Sequence, residues 1–190
     1  MKYIEHEDKS FDKIDFTERI MPKSTYINCV FNNCNFFQCD LSGNSFMDCT
    51  FVACNLSMAV LTNTSVKNLH FRDCKLVGID FGKANPFLFS VGFEECQLDY
   101  AIFSQLKIKK TIFSHCSLKE AEFENSDLSM VVFKECDLWG ASFIQTILEK
   151  ADFTTAINYA FDPEKNRIKK AKFSLPSVTG LLSKYDIEIE

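Results

Sequence analysis

The stretch FSHCSLKEAEFENSDLSMVVF, Phe113 to Phe133, decides how this chain folds. Large apolar residues stand at Phe113, Leu118, Phe123, Leu128 and Phe133, every fifth position, and small ones stand two places before some of them, as Cys116 and Ala121 do. The register extends back through Phe93, Leu98, Phe103 and Ile108 and forward through Leu138, Phe143, Leu148 and Phe153. Upstream it runs without a miss from Phe11 through Phe16, Met21, Tyr26, Phe31 and Phe36 to Phe81, and between Phe81 and Phe93 it slips by two residues. The repeat is small-x-large-x-x.

A period of five fits neither the 3.6 residues of a helical turn nor the two of a strand. A square coil fits it. If each unit makes one side and the chain turns a corner after it, four units close a coil of about 20 residues, and stacked coils lie ~4.8 Å apart like neighbouring strands. Residues 20 apart, or 22 across the slip, then become vertical neighbours, and one such column reads Phe11, Phe31, Phe51, Phe71, Phe93, Phe113, Phe133, Phe153 and Phe173. The adjacent column changes once from Phe16 and Phe36 to Leu56, Leu76, Leu98, Leu118 and Leu138. The expected fold is therefore all-β, a right-handed quadrilateral parallel β-helix. It spans residues 1–173, with the slip inside 82–92, and is roughly 40 Å long at ~4.8 Å per coil.

All nine cysteines fall at the small inward position, and Cys34, Cys54, Cys74, Cys96, Cys116 and Cys136 form one vertical ladder. Metal ligands must converge on a point, whereas a ladder sets its thiols in a line, so the expectation is free, inert thiols and no metal. The amino terminus has no apolar leader and no run of 18 apolar residues occurs, which predicts a cytoplasmic protein that does not enter a membrane. A formal net charge of −5 argues against direct nucleic-acid binding. No spacing of Ser, Cys, His or carboxylate forms a triad or dyad, and six glycines leave little for a phosphate loop, so neither an enzyme, a cofactor nor a small-molecule substrate is expected. Glu95, His115 and Glu135 stack on one outer ladder, a solvated row in which neighbouring carboxylates would favour a charged histidine.

Two segments depart from the repeat. Residues 82–92 place Pro86 at an expected centre and should bulge, either as a tolerated insertion or as a contact loop exposing Phe87 or Phe89. Residues 154–170 break the rule at Asn158 and Pro163 but keep the column spacing, a degenerate last coil. Residues 174–190 differ in kind: after Pro176, Val178, Leu181, Leu182 and Tyr185 follow at i, i+3, i+4 and i+7, which predicts a short amphipathic helix, with Ile187 and Ile189 in an edge strand. The helix must bury its apolar face, either as a cap or against a second copy.

The run of small-x-large-x-x units over residues 11–153 resembles the pentapeptide-repeat family. Within it, Cys54-Asn-Leu-Ser-Met-Ala59, Cys136-Asp-Leu-Trp139, the slip and the ending from Leu181 to Ile189 resemble the Qnr and MfpA subgroup. That resemblance implies a homodimeric rod that mimics duplex DNA and binds DNA gyrase or topoisomerase IV, with quinolone resistance as a consequence. The sequence departs from Gram-negative Qnr proteins in lacking a loop between Phe46 and Leu56 and in reducing the second loop to the two-residue slip. Duplex DNA carries a phosphate per ~1.7 Å, which a net −5 does not match over the whole rod. Residues 94–153, however, hold 11 acidic against 6 basic side chains, while Lys165, Arg167, Lys169, Lys170 and Lys172 make the last coil basic. Glu120, Glu122, Glu124, Asp127, Glu135 and Asp137 are the candidate partner-binding residues. The alternative is a structural or protein-interaction scaffold with an unrelated partner, which needs no charge match.

Overall fold

In the computed structural model, residues 4–17, 22–185 and 187–188 are described; Met21 and Ile189 lie outside them. The chain winds into a parallel β-solenoid of about eight turns. One side is a nine-stranded parallel sheet that stacks the coils in chain order, from Ser10–Asp12 at one end to Lys172–Phe173 at the other. Its register pairs Phe11 with Phe31, Phe31 with Phe51, Phe71 with Phe93 and Phe153 with Phe173, the 20- and 22-residue spacing expected. We call this face 1 and number the others in chain order. Face 2 is held by a ladder of bridges from Asp15 to Asn35, Asn55 and Lys75 and on to Ile157. Face 3 links Asp80, Ile102, Glu122 and Ser142, and face 4 links Lys107, Asp127, Ile147 and Arg167.

Corners form because the residue two places after a centre adopts a left-handed backbone. Among the described residues, 25 non-glycine residues and three glycines have positive φ, and nearly all occupy that place. Asn and Asp tolerate this conformation best, and Asn28, Asn33, Asp48, Asn63, Asn68 and Asp73 supply it in the first half.

The lumen is filled by aromatic columns. Successive rings of face 1 stack at 4.6 Å for Phe31 on Phe51 and 5.2 Å for Phe113 on Phe133. From Phe81 onward face 3 carries a second column, and the two interlock edge to face, as Phe103 does with Phe113 at 5.6 Å and 87°. Before Phe81 the partners come from faces 2 and 4 instead, with Phe36 and Phe46 set edge-on to Phe31 and Phe51. The exchange leaves one coil, Phe51 to Val66, with a single phenylalanine among its centres, and a void of about 10 Å³ lies there, between Leu61, Val66 and Phe71.

All nine cysteines are free and buried. Each ladder thiol from Cys34 to Cys96 donates to the carbonyl two residues back and to one in the preceding coil, as Cys54 does to Val52 and Phe31 at 3.3 Å. Burial pushes the Cys49 thiol up to about 11. These are small core residues.

Two expectations need correction. Residues 176–185 do not form an α-helix; they make two 3₁₀ turns, Val178–Leu181 and Ser183–Tyr185, and Ile187 lies in no strand. At the slip, Phe87 is 67 % exposed but Phe89 is buried, edge-on to Phe81 at 6.1 Å. Phe89 fills the lumen place that Pro86 cannot, so only Phe87 of the pair is available for contact.

Phe113 is wholly buried between Phe93 and Phe133. Phe113→Ala should destabilise the protein by about 3 to 5 kcal/mol through the cavity it leaves. Chemical denaturation reads this, and unchanged stability would contradict the stacked lumen.

Candidate partner-binding surface

The outward positions of each unit lie on either side of its centre and at the corner, and this rule places the candidate acidic residues on all four faces. Glu135 follows face 1, Glu120 and Asp137 belong to face 2, Glu122 and Glu124 flank Phe123 on face 3, and Asp127 is on face 4. The set is thus not one stripe. Glu120, Glu122 and Glu124 follow one another along the outer surface from the corner at Glu120 across face 3, while Glu135 and Asp137 flank the corner between faces 1 and 2.

Their surroundings divide them again. Asp127 meets Lys109 at 3.0 Å, Asp137 meets Lys119 at 3.4 Å, and Glu135 meets His115 Nδ1 at 3.3 Å. Burial works against the charge on Asp127, but the Ser129 hydroxyl and Lys109 outweigh it and hold the carboxyl below the usual range. Burial opposes Asp137 likewise, and the Asn158 amide, the Trp139 backbone N–H and Lys119 overcome it. Among the described residues, Glu120, Glu122 and Glu124 make no ion pair; Glu124 accepts from the Ser142 hydroxyl at 2.9 Å. The Glu120 carboxylate lies over Gly140, a corner residue with φ +69°, and a Cβ there would stand 2.7 Å from it and push the Glu120 side chain aside. Beside this corner Tyr100 and Trp139 are 61 % and 57 % exposed.

The tail residues proposed for dimerisation also separate. Leu181 is buried and Val178 packs on the core of its own last coil, while Leu182 and Tyr185 remain exposed. Gly180 allows this fold-back, because a Cβ there would land on the Tyr159 carbonyl oxygen. Lys184 then clamps the tail, meeting Asp162 at 2.7 Å and Glu164 at 2.8 Å, with the Tyr185 hydroxyl 3.3 Å from Glu164. No repeat in the sequence relates these partners. The described residues contain no group of three His, Cys, Asp or Glu placed to hold a metal ion, and no helix long and apolar enough to cross a membrane.

A parallel β-solenoid with its lumen filled by stacked side chains and its charged side chains outward is a repeat-built rod. The pentapeptide repeat region profile matches residues 24–103 and 87–173, and the chain belongs to the pentapeptide-repeat family. Sequence comparison with curated proteins finds no match. Among solved structures, full-length QnrB1, a plasmid-mediated fluoroquinolone resistance protein, is similar at 17 % identity and a TM-score of 0.59, over 96 % of this chain and 100 % of that one. HetL, a pentapeptide repeat protein involved in heterocyst differentiation regulation from the cyanobacterium Nostoc sp. strain PCC 7120, is similar at 16 % identity and a TM-score of 0.34, over 91 % of this chain and 87 % of that one.

The Lys184 clamp has a defined pH range. The bond from Lys184 holds both Asp162 and Glu164 below their ordinary values of 3.8 and 4.5. Both therefore bind protons more weakly in the folded chain, so their contribution is complete above those values and fails as pH falls through the depressed ones. Hydrogen exchange at the Leu182 and Tyr185 amides should show protection at neutral pH that is lost in acid before the solenoid opens, and Lys184→Met should lose it at neutral pH. Protection that ignores both changes would rule out the clamp.

Proposed function

We propose that this chain is a non-enzymatic rod that binds a bacterial type II topoisomerase through the corner of Glu120, Glu122 and Glu124. The observation that carries this reading is that these carboxylates alone, of those picked from the sequence, face solvent in succession along one edge without an ion pair among the described residues. A protein saddle lined with cations for DNA meets there an uncompensated negative edge on a straight rod, flanked by Tyr100 and Trp139, side chains that supply contact area at low entropic cost. The fold shared with a fluoroquinolone resistance protein along the whole length supports the same direction. Asp127 and Asp137 are neutralised by Lys109 and Lys119, and Glu135 lies against His115, so the mimicry is of a short segment rather than of the whole rod. That neutralisation favours the second reading, a scaffold with an unrelated partner.

Supercoiling and cleavage assays with purified gyrase, with and without quinolone, test the first reading. Inhibition of supercoiling at micromolar protein is expected, with weak or absent drug protection because the loops are reduced. Charge reversal at Glu120, Glu122 and Glu124 should weaken binding by roughly tenfold or more, while reversal of Glu5, Glu7 and Asp12 should leave it near its starting value. No effect on either activity would hand the case to the scaffold.

A two-fold homodimer belongs to this proposal. Leu175, Leu182, Tyr185 and Ile187 stay exposed beside the folded-back tail, Leu175 at 88 %, and a two-fold axis would bring this patch onto its own copy. X-ray scattering should report a rod of roughly 80 Å, twice the length set by strand spacing. A 40 Å particle at micromolar concentration would exclude the dimer.

A further inference from the structure

Sorting charge by face rather than along the chain exposes a surface of the opposite sign. Face 4 carries Lys107, Lys109 and Lys110 on one coil and Lys150 two coils on. Arg167, Lys169 and Lys170 follow on the last coil, and on this part of the face they are opposed only by Asp127 and Glu149. Both acids are already engaged, with Lys109 at 3.0 Å and with Arg167 at 2.6 Å. Lys107, Lys110, Lys150, Lys169 and Lys170 are exposed and make no ion pair among the described residues. The backbone bonds from Lys110 to Ser129, from Met130 to Glu149 and from Lys150 to Lys169 fix these coils as one continuous plane.

The slip opens on the same face. Asn85 bridges Ser65 of face 4, and the bulge that follows exposes Phe87 and Leu88, at 67 % and 63 %, next to the basic coils. Leu88 holds a left-handed backbone, φ 57°, which turns the pair outward, and Lys67 Nζ lies 5.5 Å from the Phe87 ring centroid. An outward apolar pair beside a plane of unpaired cations is an unusual combination on a solenoid whose other faces are net acidic over these coils.

We propose that face 4 docks on an anionic lipid bilayer, with the basic coils against the headgroups and Phe87 and Leu88 inserted at the acyl boundary. The two contributions are the pair that reversible membrane attachment needs, since lysines near an anionic leaflet each add to binding and a small apolar anchor alone is too weak. A bilayer is planar, as the face is, so lysines in several columns reach it together. Duplex DNA is convex and has no use for Leu88, and a single-stranded base seeking a ring to stack on finds one side of Phe87 taken by Lys67. Docking this way turns face 2, the opposite face, towards solvent and leaves Glu122 and Glu124 on the adjoining face 3, so this surface shares no residue with the proposed topoisomerase edge and neither depends on the other.

Co-sedimentation of the full chain with phosphatidylcholine vesicles, plain or with about a third phosphatidylglycerol, tests the proposal. Binding is expected only to the acidic vesicles and should fall steeply with salt. The Lys107→Glu, Lys110→Glu, Lys150→Glu variant should bind roughly a hundred-fold more weakly or worse. Phe87→Ser with Leu88→Asn, which suits the left-handed backbone at 88, should bind about tenfold more weakly and lose what binding survives high salt. Circular dichroism and the melting temperature confirm that each variant is folded. Equal binding to plain vesicles, no effect of the lysine reversals in folded protein, or binding to duplex DNA with none to acidic vesicles would each overturn it.

Discussion

Each coil must lie directly on the one before it, because the backbone hydrogen bonds run along the rod and leave no other place for the chain. Phe36 donates to Asn55, Leu56 to Lys75, Leu76 to Gln97 and Leu98 to Ser117, and this ladder fixes the register of everything else. A side chain in the lumen then has its vertical neighbours chosen for it. Rings stack on rings at about one coil spacing, and thiols line up one coil apart, Cys74 Sγ accepting from the Cys54 backbone N–H at 3.4 Å. At the fourth small inward position Ser24, Asn44, Thr64, Ser126 and Thr146 are buried with their polar atoms satisfied, as when Asn44 accepts from the Ser24 backbone N–H and donates to the Leu41 carbonyl. A column of hydroxyls and amides is admissible in a dry lumen because every coil offers it carbonyls at the same height.

The same constraint explains why volume is traded between faces. The lumen holds a roughly constant cross-section, so once Phe81 brings an aromatic column onto face 3, face 2 keeps to leucine and face 4, after Phe89, to isoleucine and leucine. Rings on faces 1 and 3 then meet across the axis edge to face, which a sequence of isolated phenylalanines would not enforce. The changeover coil, Phe51 to Val66, is left with the small void.

The repeat was legible because an inward side chain every fifth residue leaves a period that no other architecture produces, and the nine-phenylalanine column gave the coil length outright. The slip was legible as a place but not in detail. Both Phe87 and Phe89 fit a bulge, and only the need to fill the lumen above Phe81 distinguishes them. The tail misled for a related reason. Val178, Leu181, Leu182 and Tyr185 have helical spacing, yet Gly180 lets the chain press against the Tyr159 carbonyl, and tighter 3₁₀ turns that bury Leu181 and half-bury Val178 on the last coil win over a free α-helix too short to stand alone. The inward Ser, Asn and Thr positions, 20 apart, were available in the sequence and could have been found by extending the column test from the large residues to the small ones.

Charge was the property read least well from the sequence, and the reason is geometric. Residues that are neighbours along the chain, such as Glu124 and Asp127, turn a corner and face different directions, whereas Lys107 and Arg167, 60 residues apart, stand in one column. A tally by segment therefore mixes faces, and its acidic second half resolves into three acidic sides and a basic one. An electrostatic argument for such a rod has to be made per face, since a partner larger than one coil meets a column of side chains and never a stretch of sequence. On that basis the acidic corner at Glu120, Glu122 and Glu124 and the basic plane of face 4 point in different directions, and a rod of this width can serve two unlike surfaces at once without either field cancelling the other at contact distance.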